Sequence, residues 1–174
     1  MKLPQTNLNT RTFIAGLIAA MLVVGSFGCG KSEVQKERNT ARLKFKEAVA
    51  AIKVRTQSST YSEFRQAELD LKTSYEVNKH SLNDVSAEFD KLNALVTATD
   101  YFWDKSGVYS NAAFHGENPT EVQYLEVITP GIKSKLNISG TQKNFDPDFH
   151  PVVKGLDEIG KQAEKLLSLL SDQH

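Results

Sequence analysis

Between Val85 and Trp103, large side chains return at steps of three and four residues: Val85, Phe89, Leu92, Val96, Thr99 and Trp103. A helix turns once in about 3.6 residues, so this spacing lines one face of a helix. A strand of period two would scatter the same residues over both faces. The rhythm recurs in Phe45, Val49 and Ile52, with Ala48 and Ala51 beside them, and in Phe64, Ala67, Leu71 and Tyr75. It returns in Val122, Leu125 and Ile128, and again in Val152, Leu156, Ile159, Ala163, Leu166 or Leu167, and Leu170. Few segments alternate apolar with polar, and runs of β-branched residues are short. The pattern predicts an all-α chain: an antiparallel helical bundle of about four main helices, with the short turns between the first three making them antiparallel neighbours.

Local signals punctuate these stripes. The first helix starts near Ser32 or Thr40 and ends at Arg55, before Gln57-Ser58-Ser59. Thr60-Tyr61-Ser62-Glu63 is a capping box, in which the Thr hydroxyl and the Glu carboxylate satisfy free backbone N–H groups. A turn over Ser81 to Asp84 leads to the third helix, which ends near Gly107. Residues 107–118 lose the period. Asn118-Pro119 restarts a helix, since Asn caps and Pro is tolerated in the first turn. Pro130, lacking an N–H, stops or kinks it, and Ile132 and Leu136 suggest one or two further turns. Asn137 to Asp148 reads as loop, and the last helix begins near Asp148 or Pro151. Gly155 and Gly160 weaken that helix by up to about 1 kcal/mol each relative to Ala, and they let a neighbouring helix come close.

Composition bears on what surrounds these helices. The chain holds 21 Lys and Arg against 21 Asp and Glu, and one cysteine, Cys29, among 174 residues. One cysteine makes no internal disulfide, so a hydrophobic core must hold the fold. The first 28 residues carry Lys2 and Arg11 and no acid, which leaves the rest at a net charge of −2. Such a balance gives no electrostatic footprint for nucleic acid and no strong attraction to an anionic membrane surface.

The N-terminus has a different character. MKLPQTNLNTR is polar and basic, and TFIAGLIAAMLVVG follows as an apolar block of 14 residues. About 20 helical residues are needed to span a hydrocarbon core. A basic start, a shorter apolar stretch and small residues at its end are the layout of an export signal. Residues 1–28 are therefore expected to be removed, leaving a polar tether over 29–39 and one helical domain over 40–174. Ser26-Phe27-Gly28 suits an ordinary signal peptidase, which would release a soluble protein with a free N-terminal cysteine.

Ser26-Phe27-Gly28-Cys29 also resembles the lipobox of bacterial lipoproteins, a resemblance confined to residues 1–29. It implies cleavage between Gly28 and Cys29 and a thioether-linked diacylglycerol on the Cys29 sulfur, with palmitate-type acyl chains as the membrane anchor. Gly28 fits the small residue that the family places before the cysteine, while Ser26 stands where the family prefers Leu, Val or Ile. Gly30, in place of the Asp that retains such proteins in the inner membrane, implies the periplasmic face of the outer membrane in a Gram-negative cell. The lone cysteine directly after the apolar block favours lipidation over simple release.

Catalytic signals are weak. No serine sits in a nucleophile elbow and no glycine-rich phosphate loop appears, so neither an enzyme nor a cofactor is expected. Asp146, Asp148 and His150 place three potential ligands at alternate positions, but closed metal sites usually need four. Helix capping by the two aspartates accounts for them, and no metal is expected. Aromatic residues gather at the end of the third helix and beyond it: Tyr101, Phe102, Trp103, Tyr109 and Phe114, with His115 beside them. Trp103, Tyr109, Phe114 and His115 make a candidate pocket for a small ligand; the plainer reading is that Trp103 closes one end of the bundle. The charges of the first three helices read as an ordinary wet surface. The functional expectation is a membrane-anchored helical interaction or envelope-structural module with an envelope protein as partner, the alternative being a ligand-binding lipoprotein.

Overall fold

The computed structural model describes residues 33–105, 119–132 and 150–171. Every regular element among them is helical and none is a strand. The elements are α1 (33–55), α2 (Tyr61–Asn78), α3 (Ser86–Asp104), α4 (Pro119–Ile128) and α5 (Pro151–Ser171). Two 3₁₀ turns, Lys79–Ser81 and Asn83–Val85, join α2 to α3.

The chain divides into two compact units at Thr40. Of the first, residues 33–40 are described and are helical. Residue 33 is already in the helix, so the earlier of the two expected starts is the nearer one, and much of the segment read as a tether is helix. Its polar side chains are tied within the helix: Gln35 donates to Asn39 Oδ1 at 3.0 Å, and Thr40 Oγ1 to the Lys36 carbonyl at 2.9 Å.

The second unit, from Ala41 on, is built on two apolar clusters. The larger joins Phe45, Val49 and Ile52 of α1 to Phe64 and Leu71 of α2, Phe89, Leu92 and Val96 of α3, and Ile159, Ala163 and Leu166 of α5. All but Phe89 among these are fully buried. The main positions of the stripes read from the sequence are therefore buried, while Ala51 beside the first stripe is exposed. Phe45 lies at its aromatic centre, 5.7 Å from Tyr75 and 5.7 Å edge-on to Phe89, while Tyr75 and Phe89 stack at 3.7 Å.

The smaller cluster joins Ala98 and Phe102 of α3 to Leu125 and Ile128 of α4 and to Ile132. The sequence stripe of α3 did not include Ala98 or Phe102. Residues two apart lie about 200° apart around a helix, so Ala98 points almost opposite to Val96. α3 thus has one apolar face along its whole length and a second one towards its C-terminal end. From Leu95 to Trp103 no residue of α3 is exposed, whereas Ala87, Asp90, Lys91 and Ala94 are.

The helix ends follow their local chemistry. At α2, Thr60 Oγ1 accepts from the Glu63 N–H at 3.3 Å, and Glu63 Oε2 accepts from the Thr60 N–H at 2.8 Å, so both halves of the capping box are present. α4 stops at Ile128, two residues before Pro130. Gly131 then takes φ +85°, a left-handed conformation that favours glycine, and donates its N–H to Glu126 Oε1 at 2.7 Å. α5 begins at Pro151, the later of its two expected starts.

Gly155 is buried where α5 crosses α3. A Cβ at this position would run into the Thr99 hydroxyl and lie 3.0 Å from the Thr99 Cβ. The missing side chain, a weakness for the isolated helix, is what permits the approach. Gly155→Ala is expected to destabilise the domain by about 1–3 kcal/mol through overpacking, although Ala is the better helix former by about 1 kcal/mol. Thr99→Ala in the same chain should recover part of the loss. Urea unfolding of the single and double variants checks this, and a neutral Gly155→Ala would mean that the helices separate without cost.

Candidate functional site

Trp103 is half-buried at the C-terminal end of α3, and the N-terminal turn of α2 packs on it. Its ring lies 5.2 Å from Phe64 and 5.9 Å from Tyr61. On the next faces of α3, Tyr101 meets Phe102 edge-on at 5.3 Å and Tyr124 of α4 at 4.9 Å. Tyr101, Phe102 and Trp103 are thus engaged in packing between helices. Tyr109, Phe114 and His115 lie outside the described residues, as do Gly28, Cys29, Asp146 and Asp148. His150 is exposed. Among the described residues no group of three His, Cys, Asp or Glu side chains is placed to hold a metal ion.

Beside the aromatic end runs a charged seam between α2 and α3. Glu68 is only 2% exposed. Burying a carboxylate is costly unless it is paired, and both of its oxygens are. Oε1 accepts from Lys72 Nζ at 2.6 Å and Oε2 from Arg65 Nη1 at 3.1 Å. Each cation also reaches α3: Lys72 Nζ donates to Thr97 Oγ1 at 3.2 Å, and Arg65 Nη1 to Asp100 Oδ2 at 2.6 Å. The other oxygen of Asp100, Oδ1, is buried, and the Tyr61 phenol interacts with the Asp100 carboxylate. Tyr61 extends the seam towards Trp103, its hydroxyl making a long 3.5 Å contact with Asp104 Oδ1.

This environment shifts the titration of its members. Burial, followed by the negative charge of Asp100, pushes the Tyr61 phenol up to about 12, so it stays a neutral donor. Burial and then the charge of Glu68 raise the Asp100 carboxyl above the usual aspartate range, with Arg65 opposing them. Asp100 and Glu68 in turn hold the Arg65 guanidinium more firmly charged.

The seam corrects the expectation that the charges of the first three helices form an ordinary wet surface. Arg65, Glu68 and Lys72 have the i, i+3 and i+4 spacings of surface ion pairs, which hides the burial. The signal available in the sequence was the angle: Glu68 stands one turn after Phe64, about 40° around the helix from it, at the edge of the arc that Phe64, Ala67 and Leu71 bury. Arg42 is a second case, 8% exposed, its Nη1 on Asp84 Oδ2 at 2.7 Å and its Nη2 on the Leu169 carbonyl at 3.4 Å. Glu88 is a third: it ties α3 to α5 by accepting from Gln162 Nε2 at 2.8 Å and pairing with Lys165 at 3.0 Å. Its hydrogen bonds with Lys91, Gln162 and Lys165 hold its carboxyl at about 2.

No family model, curated protein or solved structure matches the chain. Among the described residues no helix is long and apolar enough to cross a membrane.

Proposed function

We propose that the chain is a lipoprotein, cut between Gly28 and Cys29 and held to a membrane by acyl chains on Cys29. The folded domain then serves as a non-enzymatic interaction or structural module of the cell envelope, engaging an envelope protein. The observation that carries this reading is the lone cysteine directly after a 14-residue apolar block. Each buried methylene contributes about 0.8 kcal/mol, and a single chain holds only marginally, so stable anchoring takes two or more. Attachment then asks nothing of the helices. In a Gram-negative cell, Gly30 directs the protein to the periplasmic face of the outer membrane.

We further infer that α1, α2, α3 and α5 run up and down as an antiparallel four-helix bundle, with α4 packed outside it. Pairs of touching residues that run in opposite senses support this. Phe45 meets Tyr75 while Arg55 meets Glu63, and Arg65 meets Asp100 while Tyr75 meets Phe89. Likewise Glu88 meets Gln162 while Thr99 meets Gly155. The packing of Trp103 on Phe64 and Tyr61 supports its role as a closure of the bundle end over a ligand site there.

Expression in bacteria with labelled palmitate, beside Cys29→Ser, tests the anchor. The wild type is expected to take up label and sediment with membranes, and Cys29→Ser to do neither. A wild type that stays unlabelled and is released soluble would mean cleavage by the ordinary peptidase and no anchor.

A further inference from the structure

We draw no further inference here: the strongest candidate, the outer face of α1 on which Leu43 and Val54 stand 57% and 58% exposed, is an apolar face interrupted by the exposed Glu47, and nothing in the structure shows what covers it.

Discussion

Phe45→Ala is expected to cost about 3–5 kcal/mol of unfolding free energy, the range for truncating a buried phenylalanine. The ring is fully buried and stands against Tyr75 and Phe89 at 5.7 Å each. Its loss removes apolar burial, two aromatic contacts of about 0.5–1.5 kcal/mol each, and the filler of a space bounded by three helices. Tyr75 and Phe89 already stack on each other at 3.7 Å, so neither is free to swing into the vacancy. Single domains are commonly stable by about 5–15 kcal/mol, so the variant should be visibly less cooperative or partly unfolded at room temperature. Val77→Ala is the control: Val77 is 75% exposed and should change stability by no more than about 0.5 kcal/mol. Equal urea midpoints for the two variants would place Phe45 outside the core.

The second large effect is expected at Arg42. Its guanidinium holds both oxygens of Asp84, at 3.0 and 2.7 Å, and reaches the Leu169 carbonyl near the end of α5. It thereby ties α1 to the turn before α3 and to the last turn of α5, whose carbonyls have no partners within the helix. Breaking a fully buried pair costs about 3–5 kcal/mol; here Asp84 keeps 29% of its side chain in water, so about 2–3 kcal/mol is expected for Arg42→Ala. A double-mutant cycle with Asp84→Asn separates the pair from the rest. Arg42 also supports Leu169, so the single loss should exceed the coupling, which for residues in contact is about 0.5–3 kcal/mol. A cycle with no coupling would show the pair to be an unproductive surface contact.

The main outlines of the helices were legible because apolar spacing and capping chemistry are local properties. Phe45, Val49 and Ile52, or the Thr60–Glu63 box, need no knowledge of neighbours. What stayed hidden depends on partners. Ala98 and Phe102 fell outside the main stripe of α3 because the second apolar face they share is short and forms only where α4, Ile132 and Val152 pack against it. Glu68 looked wet because an ion pair spaced along a helix reads the same whether water or another helix covers it, and Arg42 because its partner Asp84 lies 42 residues away in the sequence. Gly155 carried both meanings at once, and only Thr99 opposite it settles which one holds. Of the candidate ligand pocket, Trp103 alone falls among the described residues.

The surroundings of α3 have a consequence for how its sequence can drift. Along its first half, Ala87, Asp90, Lys91 and Ala94 face water and can exchange for other good helix formers at little cost. From Leu95 to Trp103 each position answers to a neighbour: α2 at one angle, α5 at another, α4 at a third. A change there needs a matching change across the contact, as Gly155 illustrates for Thr99. Diverging descendants of this chain would therefore keep the latter half of α3 as a nearly fixed word while the four exposed positions of its first half are rewritten around Phe89 and Leu92. That stretch is a better probe for finding remote kin than the length of the chain as a whole.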